Sequence, residues 1–125
     1  MKEYSRPDSA SPVGLALVAD NDMLSRWSLV RQLRDLGMTV RETETGRDAV
    51  RLAEQHRFQL VFIDRGLPDL EYREVVRRIR GLQPGCSVWV MSAYDERTPR
   101  EQQGREKPGH LDKPVSRETL KDLLP

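Results

Sequence analysis

Leu60-Val61-Phe62-Ile63-Asp64-Arg65-Gly66-Leu67-Pro68-Asp69 is the stretch that decides the fold. With Phe58 ahead of it, an apolar run enters Asp64 and is then broken by Gly66 and Pro68. A short run with no polar alternation reads as a strand buried on both faces. Strands of that kind belong to parallel sheets, which need helices in their crossovers. The sequence on either side supplies them.

Downstream, Glu71 to Arg80 reads as a helix around Val75, Val76 and Ile79, closed by Gly81 and Pro84-Gly85. Ser87 to Ser92 is then a fourth strand. Upstream, Arg47 to His56 is a helix with Ala49, Val50, Leu52 and Ala53 inward, preceded by a strand from Met38 to Thr43. From Met23 to Leu36 the residues Leu24, Trp27, Leu29, Val30, Leu33 and Leu36 return at helical steps, with Asp22 as a cap and Gly37 as a stop. Trp27 and Trp89 are expected in the core. The first strand is Gly14 to Ala19, ended by Asp20-Asn21-Asp22. Residues 95–108 contain Pro99, Gly104 and Pro108 and few apolar residues, so at most a short helix is expected there. Gly109 to Asp112 is a brief fifth strand, and a short helix runs on to Leu124. Alternating strands and helices predict an α/β fold: a doubly wound parallel sheet with helices on both faces and right-handed crossovers.

Composition sets the bounds. At 125 residues the chain suits one domain, 14–125, behind a flexible N-terminal extension, 1–13. Lys and Arg total 21 against 20 Asp and Glu, which argues against direct nucleic-acid binding. The Arg-rich stretch from Arg73 to Arg80 is accordingly read as a solvated helix face. One cysteine, Cys86, leaves no internal disulfide to form. No apolar run approaches the roughly 20 residues of a membrane span, and the N-terminus lacks a signal-peptide core. A soluble cytoplasmic protein without membrane contact is expected.

Four polar features fall at the carboxyl ends of strands, where open parallel sheets place their ligands. They are Asp20-Asn21-Asp22, Asp64, Ser92 and Lys113. Carboxylates, a hydroxyl and an ammonium at one rim suit phosphoryl transfer. A carboxylate can take the phosphoryl group, a hard cation can offset the charge, and lysine and hydroxyl can hold the oxygens.

On these residues the chain resembles the receiver domains of bacterial two-component response regulators, over about residues 14–124. Leu17-Val18-Ala19-Asp20-Asn21-Asp22 is similar to the acidic end of that family's first strand. Leu60 to Asp64 with Leu67-Pro68-Asp69 is similar to the acceptor strand and its loop. Val90-Met91-Ser92-Ala93 and Asp112-Lys113-Pro114 look like its hydroxyl and lysine-proline motifs. The resemblance implies a flavodoxin-like, chemotaxis-regulator-like sheet of five strands in the order 2-1-3-4-5. It implies Asp64 as phospho-acceptor, with Lys113 and Ser92 contacting the phosphoryl group. It implies magnesium, weakly bound, on Asp20, Asn21, Asp64 and the Gly66 carbonyl. It also implies a switch through Ser92 and His110, and a cis Lys113-Pro114 bond. The implied partners are a sensor histidine kinase or phosphotransfer protein, a downstream protein or an output domain beyond Pro125, and a second copy of itself. Self-dephosphorylation would be slow, so the chain is not expected to be an enzyme in the ordinary sense.

The departures are specific. Asn21 stands where the family pattern has a second acid, so one charge is missing from the cation site. Tyr72 stands where the acceptor loop usually ends in glycine. Arg65 replaces an apolar residue, and strand alternation points it away from the pocket. His110 occupies the switch aromatic position, and the fourth helix is expected to be short or disordered. The competing reading is a degenerate receiver that binds partners without phosphorylation. A haloacid-type phosphatase also uses an aspartate nucleophile, but needs a second acid where this chain has Gly66.

Overall fold

The computed structural model describes residues 14–93 and 109–124. The elements run β1 (Leu15–Ala19), α1 (Met23–Asp35), β2 (Thr39–Thr43), α2 (Gly46–Gln55), β3 (Leu60–Asp64), α3 (Tyr72–Leu82), β4 (Ser87–Ser92), β5 (His110–Asp112) and α4 (Arg117–Leu123). The five strands form one parallel sheet in the order β2-β1-β3-β4-β5. The expected extension 1–13 and the expected short helix within 95–108 lie outside the described residues.

Strand alternation builds the two layers directly. Leu17, Ala19, Val61, Ile63, Val88 and Val90 turn to one face, where Ala49, Ala53, Val75, Val76 and Ile79 of α2 and α3 cover them. Ala16, Val18, Leu60, Phe62, Met91 and Leu111 turn to the other, against Leu29, Val30 and Leu33 of α1 and Leu120 of α4. Both faces are therefore apolar, which is why β1 and β3 read as continuous hydrophobic runs.

Both ends of α1 follow their sequence signals, whereas α3 runs through Gly81, the residue expected to close it, as far as Leu82. Asp22 caps α1 by accepting from Ser25 N–H at 2.9 Å. Gly37, at φ +96°, closes it, with Met38 N–H bonded to Leu33 O and Gly37 N–H to Arg34 O. Ser116 caps α4 in the same manner as Asp22 caps α1. Less expected is Gln83, buried just past α3. Its amide oxygen accepts from Phe58 N–H at 2.8 Å, and its amide nitrogen donates to Ala53 O at 2.7 Å and His56 O at 2.6 Å. One side chain thereby ties the end of α2 to the end of α3.

The expectation that Trp27 lies in the core is corrected. Trp27 is 58 % exposed, with Arg31 over its ring at 5.4 Å, and Met23 and Leu24 are more exposed still. Leu24 is nine residues from Leu33, which at about 100° per residue puts it on roughly the opposite side of the helix. Trp89 behaves as expected, packed half-buried against the cluster under α1 and α4.

Candidate functional site

The order of the sheet brings the polar strand ends together. The chain leaves β1 for β2 on one side and later returns to β3 on the other, so the switch in strand order falls between β1 and β3. Asp20 follows β1 and Asp64 ends β3 at that point. Ser92 ends β4 one residue beyond Met91, the register partner of Asp64. Lys113 follows β5, and its N–H bonds to Ser92 O at 3.0 Å. The Lys113-Pro114 bond is cis.

Lys113 joins the two acids. Its Nζ is 2.7 Å from Asp64 Oδ1 and 2.9 Å from Asp20 Oδ2. Asp20 has no exposed surface, Ser92 almost none, and Asp64 is 6 % exposed. Burial alone would pull the Lys113 ammonium down. Its hydrogen bonds to Asp64 and Asp20, and their charges, outweigh that and hold its pKa above the ordinary 10.5.

Asp20 has further partners. Asp22 N–H donates to its Oδ1 at 2.9 Å, and Ser25 Oγ–H donates to its Oδ2 at 2.7 Å. Arg26 holds the same turn from behind, donating to Asp20 O at 2.8 Å while its Nε meets Glu42 at 3.0 Å. Asn21 lies exposed in this turn, and Gly66 lies exposed in the loop after β3.

That loop is anchored by Asp69. Its carboxylate accepts from Gly46 N–H at 2.7 Å and Arg47 N–H at 3.0 Å, capping α2 from outside, while Thr45 accepts from Asp48 N–H. Partial burial works against the Asp69 anion, but the Arg47 and Gly46 N–H groups more than offset it, so its pKa sits below the ordinary 3.8. The close approach needs glycine at 46, since a Cβ there would lie 2.7 Å from Val75 Cγ2.

The Arg65 guanidinium lies 5.5 Å over the Tyr72 ring, and that of Arg73 lies at 5.2 Å. Tyr72 is buried at the start of α3 and meets the half-buried His110 edge-to-face, ring centroids 6.3 Å apart.

The structure thus brings Lys113 into direct contact with both Asp20 and Asp64, with Ser92 at the end of the neighbouring strand, one residue past the register partner of Asp64. Ser25, Arg26 and the capping role of Asp69 were missed in the sequence. Ser25 carries a faint signal, three residues after a cap and at the first turn beside an acidic strand end. Asp69 carries none, because its partners are 22 and 23 residues away.

The oxygen donors at this rim suit a hard divalent cation. Among the described residues no three His, Cys, Asp or Glu side chains gather as a metal cluster. Magnesium does not need one, since it is commonly held by one or two carboxylates and water.

Comparison with known proteins gives the same reading of the fold. A cyclic di-GMP phosphodiesterase of Thermotoga maritima is 34% identical over 80 residues, 64% of this chain and 21% of the relative. The peroxide stress-activated histidine kinase mak3 of Schizosaccharomyces pombe is 31% identical over 118 residues, 86% of this chain and 5% of the relative. The chain therefore spans about a fifth or less of the length of these two relatives. Among solved structures, the receiver domain of a Pseudomonas aeruginosa sensor histidine kinase, with a magnesium ion coordinated in its active-site cleft, superposes with a TM-score of 0.72. It is 26% identical, with 88% of this chain and 93% of that one covered. A CheY-like receiver domain from Methylobacillus flagellatus gives a TM-score of 0.71 at 22% identity, covering 87% of this chain and 93% of that one. Residues 16–125 match the response regulator receiver domain family, and the chain belongs to it.

Proposed function

We propose that the chain accepts a phosphoryl group on Asp64 from a histidine kinase or phosphotransfer protein and thereby switches a protein-interaction surface. The observation that carries this is the contact of the Asp64 carboxylate with Lys113 Nζ at 2.7 Å, at the switch point of the sheet. An Asp64 oxygen attacks phosphorus, the bond from phosphorus to the donor atom breaks, and the donor leaves with the electron pair. The product is an acyl phosphate. Lys113, freed from sharing two carboxylates, binds a phosphoryl oxygen, and the Ser92 hydroxyl binds another. Asp20, Asp64, Asn21 through its side-chain carbonyl and Gly66 through its backbone carbonyl are the residues that would hold magnesium. The cation would offset the negative charge gathered around the transferring group. Hydrolysis of the product by the domain itself is slow, so it acts as a switch and not as an enzyme. A downstream protein, an output domain or a second copy reads the change.

Met23, Leu24 and Trp27 support a protein donor. They are exposed beside Asp22 on α1, and Leu24 lines a groove of about 400 Å³ that also reaches Met91, Lys113 and Pro114. An apolar patch continuous with the acceptor rim suits a docking helix. Replacing Trp27 with alanine should slow transfer from a protein donor and leave transfer from acetyl phosphate unchanged.

Asn21 favours a second reading, a degenerate receiver that binds partners unmodified, because it removes one negative charge from the cation site. Acetyl phosphate and magnesium separate the two. A phosphoryl adduct by intact mass that vanishes in Asp64→Ala supports the switch. Its absence at high magnesium, with the fold intact, refutes it and leaves the degenerate module.

A further inference from the structure

Asp20 is densely engaged, taking three donors on its two carboxylate oxygens. A carboxylate offers about four lone-pair directions. Oδ1 takes Asp22 N–H at 2.9 Å, while Oδ2 takes both Ser25 Oγ–H at 2.7 Å and Lys113 Nζ at 2.9 Å. We propose that Ser25 is a positioning residue that weakens divalent-cation binding at the Asp20–Asp64 rim by competing for Asp20 Oδ2. This rests on reading that rim as the cation and phosphoryl site.

The two donors on Oδ2 differ in freedom. Lys113 sits on a long flexible stem, and a second carboxylate, or an incoming phosphoryl oxygen, can take it over. Ser25 is fixed. Its own N–H is held by Asp22 Oδ2 at 2.9 Å in the first turn of α1, and its short side chain keeps Oγ against Asp20. A cation seeking Oδ2 must break that charge-assisted bond or displace the lysine. Asn21 already removes one anionic donor, so the hydroxyl on Asp20 draws further on the charge that remains. The β1–α1 turn thus lowers cation affinity twice, once by composition and once by hydrogen bonding.

The test is magnesium titration of the full chain, followed by tryptophan fluorescence, since Trp27 lies two residues beyond Ser25. Wild type is compared with Ser25→Ala and Ser25→Thr. Losing one charge-assisted hydrogen bond that the cation must otherwise break should tighten binding by about tenfold or more in the alanine variant. The threonine variant keeps the hydroxyl and should bind like wild type, which a merely structural role of the side chain does not require. Alanine binding no tighter than wild type, or no binding by either with the circular dichroism unchanged, overturns the inference. Acetyl-phosphate labelling of Asp64 is measured in parallel. Labelling with an unchanged magnesium affinity in Ser25→Ala defeats this inference alone. Tighter magnesium binding without labelling upholds it and defeats the phospho-acceptor reading.

Discussion

Replacing Lys113 with methionine removes the cation that two buried carboxylates share. Asp20 has no exposed surface and Asp64 only 6 %, and both lie within 2.9 Å of Nζ. Breaking a buried pair by deleting one partner costs about 3–5 kcal/mol, because the remaining charge is stranded. The Lys113 side chain keeps 18 % of its exposure, so solvent screens part of the interaction and the low end, about 3 kcal/mol, is expected. For a domain of this size that lowers Tm by roughly 10 °C. Urea and thermal melts at neutral pH measure it directly. The pH dependence gives a sharper check. The folded pKa of Lys113 is raised, so its contribution is complete below the ordinary 10.5 and is lost as pH rises through the higher folded value. The advantage of wild type over Lys113→Met should be flat from neutral pH to about 10 and shrink beyond it. In an Asp64→Asn background the methionine should cost about half as much, since one stranded carboxylate is gone. A variant within about 1 kcal/mol of wild type, or a difference that persists undiminished at alkaline pH, would refute the reasoning.

Three other perturbations test the scaffold around the site. Gln83→Met leaves Phe58 N–H and two carbonyls without their partner in a buried position. It should cost about 2–4 kcal/mol in a urea melt, and a loss below about 1 kcal/mol would mean that water replaces the amide. Asp69→Ala should cost about 1 kcal/mol near neutrality through the lost cap on α2. Because the folded pKa of Asp69 is lowered, that stabilisation exists above the ordinary 3.8 and disappears as pH falls through the folded value, so the two proteins should converge in acid. Gly46→Ala forces a Cβ to within 2.7 Å of Val75 Cγ2. It should lose about 1–3 kcal/mol by thermal melt even though alanine is the better helix former, and a gain in stability would show that α3 yields freely.

The fold was legible because β1 and β3 are apolar without alternation, a pattern that only two covered faces explain. Asp20, Asp64, Ser92 and Lys113 were legible for a related reason: strand ends in a parallel sheet share one rim, so position in sequence predicts position in space. Trp27 was misread because helical spacing alone does not say which stripe faces inward. Leu24 and Trp27 fit three-residue steps as well as Leu29, Val30 and Leu33 do, but only the latter meet the sheet. Gln83 and Asp69 were opaque for another reason. Each satisfies backbone groups on a different element, and a hydrogen bond across two dozen residues leaves no local periodicity. Ser25 falls between these cases, since its cap geometry is local while its bond to Asp20 depends on the turn.

The Tyr72 ring has neighbours from three parts of the chain: Arg65 from the end of β3, Arg73 from α3 and His110 from β5. Such a ring couples substitutions across generations as well as across space. A related chain with a small residue at 72 lacks the ring over which the Arg65 guanidinium lies. Among diverging relatives, positions 65, 72 and 110 should therefore vary together, with large aromatics at 72 accompanying arginine at 65 and a compact ring at 110. Covariation of that kind would be visible in a sufficiently deep set of sequences.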